Sequence, residues 1–404
     1  MPESPNAIAL LFTTFPKTSE TFLQRDVTAL QARGVSLRLY SLWGGGGEFA
    51  GLPVHTFNKW RLVPLFLFTI PWNCVRRPRI VLDLFEGVLM RRPPGWLNFW
   101  ENMLGAGFAG CFYRSFRRDP PALVHAMWAG GPATAGWLLW RILGLPYSAG
   151  AHAYDLYEHG GDWWLMEKIA QARFVHASTE AARTLLVERA ADPAKIHVIR
   201  RGLPAFPPLK PLRRPRSPLR LCCIARLVPK KGLVFQLRIY AALKAAGVPF
   251  AARIMGNGPL RPALEATIHR LGLTAEVTLL GQRPSTEAWA LLDWADVLLH
   301  TGIVAPSGDR DGLPNVIPEA MAAGTIVITS PVSATIEAVT DGVSGLVADV
   351  DRPADWVAAL RRLATDDGLA ERLRAGARRW VEENYDARRN TGDLAACFAR
   401  AIAE

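Results

Sequence analysis

Short apolar runs of strand length recur along this chain, and each is followed by a longer stretch in which apolar and polar residues mix with helical spacing. Such runs, bounded by turn residues, are typical of strands buried in a parallel sheet. In the first half we predict strands at 7–13, 35–42, 123–126, 147–152 and 174–178. A helix capped by Thr18 or Ser19 and ended by Gly34 is predicted between the first two strands, which makes a β-α-β unit.

The second half repeats this alternation after a segment at 204–218 that is rich in proline and arginine and typical of a semi-rigid linker. Its predicted strands are 219–225, 250–255, 277–280, 297–300, 325–329 and 345–347, and the last helix covers about 366–383. We therefore predict an α/β fold with two Rossmann-like, doubly wound domains facing each other across a cleft. The predicted divisions are a domain at 1–203, the linker at 204–218, a domain at 219–383 and a tail at 384–404.

The composition is that of a globular protein, because half of the 404 residues are hydrophobic. The net charge of +11 predicts an anionic partner, which could be nucleic acid, an anionic membrane or a phosphorylated substrate. Five cysteines without a Cys-x-x-Cys motif predict reduced thiols in a cytosolic protein and no zinc site. No signal peptide is expected, because the apolar run at 8–12 has strand length and no basic segment before it.

Basic and aromatic residues are concentrated between 59 and 118, where ten Lys or Arg residues stand against three acids. Basic residues interleaved with Trp, Phe and Leu are typical of segments that lie in a membrane interface. We therefore predict that 59–118 is an insert facing an anionic membrane surface. Core helices with solvated charged faces are one alternative, and stacking on single-stranded nucleic acid is another. No nucleic-acid-binding motif accompanies the basic residues, so no nucleic acid partner is expected.

The most informative chemistry lies at 309–324, where a polar loop turns into a short Ala-rich helix. Pro314 suits the first helical turn, and Gly312 lets the backbone approach a ligand closely. The free N–H groups of the helix start suit a phosphate. Asp311 and Glu319 flank this anion site and offer carboxylates to sugar hydroxyls. The layout predicts a nucleotide-sugar site, and an ordinary capped helix is the alternative.

This segment resembles the acidic-x7-acidic signature of the retaining glycosyltransferases of family 4, whose two-domain architecture is called GT-B. The usual form, E-G-x-P-N-x-x-x-E-A-M-A-x-G, begins with Glu where this chain has Asp311. The matching residues are Gly312, Pro314, Asn315, Glu319, Ala320, Met321, Ala322 and Gly324. The resemblance implies that Asp311 contacts the donor sugar and Glu319 the ribose. It also implies that the donor site is lined by Gly312, Leu313, Pro314 and Asn315.

The same resemblance implies an acceptor-binding first domain, a donor-binding second domain and a terminal segment that packs back toward the first. It further implies retention by front-face attack, with the leaving phosphate acting as the base.

Two cations follow the first predicted strand of the second half, in the segment A-R-L-V-P-K-K-G at 225–232. It resembles the family's G-R-L-x-x-x-K-G, with Ala225 in place of the first glycine. The resemblance implies that Arg226 and Lys231 act on the diphosphate leaving group, which develops charge as the glycosidic bond breaks. A solvated basic turn is the alternative. We expect these cations and the helix dipole at 312–315 to act in place of a metal ion, so neither a metal nor another cofactor is expected.

Two further segments of the second half follow predicted strands and are candidates for donor binding. Gly256, Asn257 and Gly258 form a Gly-x-Gly turn that lets a nucleotide approach the backbone. The third glycine of G-x-G-x-x-G is replaced by Arg261, which argues against a dinucleotide site. Arg283 follows another strand and is expected to line the base pocket.

In the first half, His152 and Asp155 lie at a strand end in a segment similar to the family's H-x-x-D. The resemblance implies that His152 lies near the reacting centre and that Asp155 lies on the acceptor side; a structural histidine is the alternative. The sequence P-x-x-S-E-T-F at 16–22 resembles the start of bacterial exopolysaccharide and lipopolysaccharide enzymes, including the colanic acid type. It implies that Ser19 and Glu20 approach the acceptor, unless they only cap a helix.

These features predict a metal-independent, retaining glycosyltransferase that moves a sugar from a UDP- or GDP-sugar to a lipid-linked or polysaccharide acceptor in cell-surface glycan biosynthesis. We expect it in the cytoplasm, peripheral on the inner face of the cytoplasmic membrane. One alternative is an epimerase or phosphorylase that acts on nucleotide sugars with the same fold. The other is a non-catalytic protein that binds anionic membranes or nucleic acid.

Overall fold

Residues 7–17, 20–76, 79, 82, 86, 92–213, 216–332 and 334–404 are described by a computed structural model. The chain divides into two units. One combines Met1–Gly202 with Ala387–Glu404, and the other is Leu203–Asp386. Each unit is built on one largely parallel sheet with helices between its strands, so the predicted α/β fold class is confirmed.

The described residues of the first unit form eight strands. They are β1 Ile8–Phe12, β2 Leu37–Ser41, β3 Gly47–Phe49, β4 Leu52–His55, β5 Leu123–Ala126, β6 Tyr147–Ala151, β7 Val175–Ala177 and β8 Ile196–Val198. Their order in the sheet is β3-β4-β2-β1-β5-β6-β7-β8. Neighbouring strands are parallel except β3 and β4, which form an antiparallel pair. All five strands predicted for this half are present, whereas β3, β4 and β8 were not predicted.

The helices of the first unit lie between its strands and, in one case, at the end of the chain. They are Thr21–Ala32, the helical stretch Lys59–Arg61, Leu62–Pro64, Leu65–Thr69 and Ile70–Arg76, then Trp96–Arg118, Gly131–Leu143, Tyr154–Tyr157, Glu158–Gly160, Leu165–Gln171, Glu180–Glu188, Pro193–Lys195 and Ala387–Ala403. Leu394 and Phe398 of the terminal helix are buried in one cluster with Leu10 of β1 and Leu23 of the first helix. Among the described helices, none combines the length and apolar character needed to cross a membrane.

The second unit contains six strands, all parallel: β9 Leu219–Ile224, β10 Phe250–Met255, β11 Val277–Gly281, β12 Val297–His300, β13 Ile326–Thr329 and β14 Leu346–Val347. Their order is β11-β10-β9-β12-β13-β14. The helices are Pro229–Lys231, Leu233–Ala245, Arg261–Arg270, Ser285–Trp294, Val316–Ala323, Thr335–Ala338, Pro353–Thr365 and Asp367–Asn384. All six strands predicted for this half are present.

The described residues of the proline- and arginine-rich stretch, 204–213 and 216–218, are attached to the second unit. The Lys210 Nζ donates to the Leu292 carbonyl oxygen at 2.6 Å. The Arg213 Nε donates to Asp296 Oδ1 at 3.0 Å. The division between the two units falls between Gly202 and Leu203, so this stretch is counted with the second unit.

Candidate functional site

The centre of the second sheet is a topological switch point. In the order β11-β10-β9-β12-β13-β14, the chain runs outward on one side from β9 and on the other side from β12. The loops after these two strands diverge, and ligands of doubly wound sheets bind in the crevice that such loops leave at the carboxyl ends. Arg226 and Lys231 follow β9, and Asp311 and Glu319 follow β12. The fold therefore brings the predicted cations and acids to one edge of one sheet.

The loop after β9 is fastened to the loop after β12 by close backbone contacts. Gly232 has a φ of 62°, and a Cβ added there would lie 1.8 Å from the Thr301 carbonyl oxygen, so only glycine fits. The Ile303 N–H donates to the Lys230 carbonyl oxygen at 2.9 Å. The Thr301 hydroxyl donates to the Lys231 carbonyl oxygen at 3.2 Å. The backbone thus fixes both lysines relative to β12.

Two lysines and two aspartates form an ionic cluster at this edge. The Lys231 Nζ lies 2.5 Å from Asp311 Oδ2. The Lys230 Nζ lies 3.0 Å from Asp309 Oδ1 and 3.6 Å from Asp311 Oδ1. Burial alone would raise the pKa of Asp311, but Lys231 and then His300 outweigh burial and hold that pKa below its usual range. Lys231 and Asp311 therefore form an ion pair with each other. The sequence had instead suggested that Lys231 binds the diphosphate and Asp311 the donor sugar.

Asp309 and Asp311 form an Asp-x-Asp sequence, which was overlooked when metal independence was predicted and whose carboxylates could hold a divalent cation. Each of them faces a lysine ammonium group, whose charge opposes the binding of a cation. Over the part of the chain that the structure describes, no group of three or more His, Cys, Asp or Glu side chains is arranged to hold a metal. All five cysteines are free thiols.

His300, the last residue of β12, belongs to this cluster and was missed by the sequence analysis. Its Nδ1 lies 3.0 Å from Thr329 Oγ1, and its Nε2 lies 3.6 Å from Asp311 Oδ2, which is too long for a hydrogen bond. Burial lowers the pKa of His300, and Lys231 lowers it further, against the opposing effect of Asp311. The imidazole is therefore neutral at pH 7. A histidine at the end of a buried parallel strand was the available sequence signal.

The helix that follows the cluster is Val316–Ala323, and it ends at Gly324 with a φ of 74°, as predicted. Its start differs from the prediction, because Asn315 is the N-cap and Pro314 lies before it, outside the first turn. The Tyr385 hydroxyl donates to Asn315 Oδ1, so this side chain serves to hold the loop.

Several backbone N–H groups at this helix start have no acceptor among the described residues. Those of Gly312, Leu313, Asn315 and Val316 have no hydrogen-bond partner among the described residues. A series of free N–H groups at the start of a helix suits the binding of an anion. Glu319 is half-buried in the first turn of the same helix.

Gly256 and Gly258 have a packing role. A Cβ added to Gly256 would lie 1.8 Å from the Ala225 carbonyl oxygen, and one added to Gly258 would lie 2.5 Å from the Leu227 carbonyl oxygen. The two glycines therefore let the β10 loop lie against the loop that carries Arg226. The Asn257 carbonyl oxygen accepts the Leu227 N–H at 2.9 Å, which completes this contact.

The two remaining side chains predicted for donor binding differ in their surroundings. Arg226 is exposed and makes no ion pair or side-chain hydrogen bond within the described residues. Arg283 donates to the Leu280 carbonyl oxygen at 3.1 Å and lies 3.9 Å from Glu287. The Arg283 guanidinium thus contacts the end of β11 and the helix Ser285–Trp294 that follows, whereas that of Arg226 has no such contact within the described residues.

In the first unit, His152 directly follows β6 and is buried. Its ring lies 4.9 Å from that of His176 and 5.8 Å from that of Trp128. Neither ring nitrogen has a hydrogen-bond partner in the described part of the chain. Burial lowers the pKa of His152 well below its ordinary value, and Arg201 adds to this, so the imidazole is neutral.

The residues predicted to bind the acceptor differ in their accessibility. Asp155 is fully buried, and its Oδ2 accepts the Ala129 N–H at 2.9 Å. Burial, and then Asp162, raise the pKa of Asp155 well above its ordinary value. Glu20 is the N-cap of the first helix without a capping side-chain bond, and it pairs with Lys17 at 2.7 Å. Ser19 lies outside the described residues.

Sequence reasoning missed a buried polar cluster next to Asp155. Lys168 and Asp162 form a fully buried ion pair. The Tyr154 hydroxyl lies 3.5 Å from Glu101 Oε2. Burial, and then Asp162, raise the pKa of Glu101 to about 7. Glu101 comes from a helix more than fifty residues earlier in the chain, so no local pattern indicates the cluster.

Each half of the chain matches a glycosyltransferase family model. Residues 19–205 match the model of Glycosyltransferase Family 4, and residues 209–380 match that of Glycosyl transferases group 1. The chain is 30% identical over 326 residues to the D-inositol 3-phosphate glycosyltransferase of Corynebacterium kroppenstedtii, which covers 72% of this chain and 69% of that one.

Two other relatives are assigned to exopolysaccharide synthesis. WcaL of Escherichia coli, assigned to colanic acid biosynthesis as a glycosyltransferase, is 36% identical over 48% of each chain. The amylovoran biosynthesis glycosyltransferase AmsK of Erwinia amylovora is 33% identical over 50% of each chain. These matches span about half the length of the two relatives.

Among solved structures, Alr3699/HepE of Anabaena in complex with UDP-glucose superposes with a TM-score of 0.71 at 17% identity. The superposition covers 98% of this chain and 99% of the other. At this identity the likeness establishes the GT-B fold.

Proposed function

Because this chain belongs to the glycosyltransferases of group 1 and family 4, we propose that it moves a sugar from a nucleotide-sugar donor to an acceptor hydroxyl. The observation that carries the proposal is the Lys231–Asp311 pair, which lies at the switch point of a doubly wound sheet. This edge offers N–H groups and an Arg226 guanidinium that have no partner within the described part of the chain, and both suit the diphosphate of a UDP- or GDP-sugar.

The reaction breaks the bond between the anomeric carbon and the diphosphate oxygen and forms one to the acceptor oxygen. Negative charge grows on the diphosphate as its bond breaks, and Arg226 and Lys231 stabilise that charge. The acceptor proton passes to the departing phosphate, as in front-face retention. Asp311 holds Lys231 in place and offers its second oxygen to the donor sugar, while Glu319 binds the ribose.

We propose that this transfer needs no metal ion. The support lies in the ionic cluster, where Lys230 and Lys231 face the two aspartates of the Asp-x-Asp sequence. An ammonium group can neutralise a diphosphate in place of a divalent cation. Transfer is therefore expected to continue in EDTA, and its loss on chelation with recovery on adding Mg²⁺ or Mn²⁺ would contradict the proposal.

The proposed acceptor is a lipid-linked or growing polysaccharide of the cell surface, and the proposed place of action is the inner face of the cytoplasmic membrane. The relatives assigned to colanic acid and amylovoran synthesis support this acceptor class. His152, neutral and without a hydrogen-bond partner in the described residues, is proposed to contact the donor sugar.

The test combines binding and turnover. UDP- and GDP-sugars are screened by thermal shift, because a ligand of the native state raises the Tm. Release of the nucleotide is then measured with and without an acceptor glycolipid. Arg226→Ala and Lys231→Ala are each expected to lower turnover about a hundredfold, the cost of losing a donor to developing charge.

Lys244→Ala is the matched control, because Lys244 pairs with Glu276 on the surface at 2.9 Å. Its turnover should be unchanged. Equal turnover in all three variants, or an acceptor-independent change in the donor sugar, would contradict the proposed function and favour an epimerase or phosphorylase.

A further inference from the structure

Exposed apolar side chains are concentrated in one part of the first unit. Of nineteen exposed large apolar side chains in the described residues, eleven lie between 60 and 100. Trp60 is 79% exposed, Trp96 is 74% exposed and Phe68 is 69% exposed. Contiguous exposure of this kind marks a surface that binds something apolar.

All of these side chains except Leu82 belong to two packed helical segments. An added Cβ at Gly107 would lie 2.3 Å from Leu62 Cδ2, and one at Gly110 would lie 2.8 Å from Leu65 Cδ2. The segment around Leu62 and Leu65 therefore lies against the helix Trp96–Arg118. Phe66, Leu67 and Phe68 are consecutive and all exposed, so only a narrow side of the segment is buried. We call residues 60–76 together with 96–100 the docking face.

Cations accompany these apolar side chains. Lys59, Arg61 and Arg76 are exposed, and the ten basic residues of 59–118 outnumber its three acids. The Lys59 Nζ lies 3.3 Å from the ring centroid of Trp43, and the Arg76 guanidinium lies 4.8 Å from that of Trp72. Aromatic rings with cations over their faces are suited to the boundary between acyl chains and anionic headgroups.

We propose that the docking face binds the surface of an anionic bilayer and lies in its interface plane. A second copy of the chain fits less well, because two faces with the same excess of positive charge repel each other. Single-stranded nucleic acid stacks on aromatic rings, but it gains little from Val63, Leu67 and Val75, which are also exposed here. The inference rests on the proposed function only in so far as a lipid-linked acceptor would explain why the protein binds a bilayer. Bilayer binding itself requires no catalysis.

The first experiment compares vesicles of phosphatidylcholine with vesicles in which about one third of the lipid is phosphatidylglycerol. The full chain is expected to cosediment with the anionic vesicles and to dissociate as salt rises. The variant Phe66→Ser/Phe68→Ser/Trp96→Ser should lose binding tenfold or more. Its matched control is Val304→Ser/Ile336→Ser in the second unit, where the two side chains are 49% and 52% exposed.

A second pair of variants separates charge from apolar contact. Arg61→Glu/Arg76→Glu should weaken binding to anionic vesicles severalfold, whereas Arg238→Glu, on an exposed arginine of the second unit, should not. The Tm and the thermal shift with nucleotide sugars should be unchanged in every docking-face variant, so loss of docking is distinguishable from loss of the proposed function.

Three results would overturn the inference. The first is equal binding to both kinds of vesicle, and the second is binding that survives the triple serine change. The third is a protein that does not bind vesicles but forms a dimer or an oligonucleotide complex, which the triple serine change abolishes.

Discussion

Asp311 is the residue whose neighbours define the chemistry of the second unit's edge. It lies between two ammonium groups and beside His300, and its pKa is below the usual range. Removing its charge leaves Lys231 without its counter-ion. Asp309, by contrast, contacts only Lys230 among the lysines of the cluster.

We expect Asp311→Asn to lower transfer about a hundredfold, because Lys231 loses its orientation and the donor sugar loses a carboxylate. Nucleotide affinity, measured by calorimetry, should change little, since Glu319 and the helix start remain. Asp309→Asn is the control and should cost much less. The reverse ranking of the two variants would show that the wrong acid has been assigned to the sugar.

Glu101 gives a pH-dependent stability with a definite sign. Its pKa is raised from 4.5 to about 7, first by burial and then by Asp162. The folded state therefore binds more protons than the unfolded state between about pH 4.5 and 7, so stability falls as pH rises through this window. Below it both states are protonated, and above it both are ionised.

The variant Glu101→Gln should have a higher Tm than the wild type at pH 8 and a smaller difference from it at pH 5. A residual fall with pH is expected from Asp155, whose pKa is also raised. Glu265→Gln, on a largely exposed side chain, is the control and should reproduce the wild-type profile. A Glu101→Gln profile parallel to that of the wild type would contradict the assignment.

At the scale of elements, the junction between the loops after β9 and β12 depends on one glycine. Gly232 and Gly247 both have left-handed φ values, of 62° and 68°. A Cβ at Gly247 meets nothing within 4 Å, whereas one at Gly232 would overlap the Thr301 carbonyl oxygen. The two positions therefore share the conformational cost of alanine and differ only in the steric one.

We expect Gly247→Ala to destabilise the protein by about 1 kcal/mol, the cost of a left-handed alanine. Gly232→Ala should lower the Tm by considerably more and should weaken the binding of nucleotide sugars, because the two loops must separate. Thermal unfolding with and without donor measures both effects. Equal Tm losses in the two variants would show that the loops do not need this close contact.

The long buried strands could be predicted from the sequence, because a parallel sheet covered on both faces requires nearly continuous apolar runs. Strands β3, β4 and β8 could not, since they contain three or four residues at or near the sheet edges and bury little. The Asp311 segment was recognisable from its local spacing. Its pairing with Lys231, and the contact of Glu101 with Tyr154, join residues more than fifty positions apart and leave no local pattern.

At the scale of the whole molecule, the last helix completes the core of the first unit. Phe398 is buried against this core and lies 5.0 Å from the ring of His125 on β5. Phe398→Ala should destabilise the first unit by about 3–5 kcal/mol, the usual cost of removing a buried aromatic ring.

Calorimetry should show the transition of the first unit moving to lower temperature in Phe398→Ala, while donor binding still stabilises the second unit. Ile402→Ala, on a partly exposed side chain of the same helix, should have little effect. A variant that lowers both transitions equally would show that the two units unfold as one.

The order in which the units become complete during synthesis follows from this same arrangement. The first strand leaves the ribosome early, but the helix Ala387–Ala403 that covers it is made only after the whole of Leu203–Asp386. The second unit can therefore finish folding while Leu10 and Leu23 still lack their partners Leu394 and Phe398. The first unit is therefore an exception to N-terminal-first folding, because part of its apolar surface stays uncovered until Ala387–Ala403 has been made.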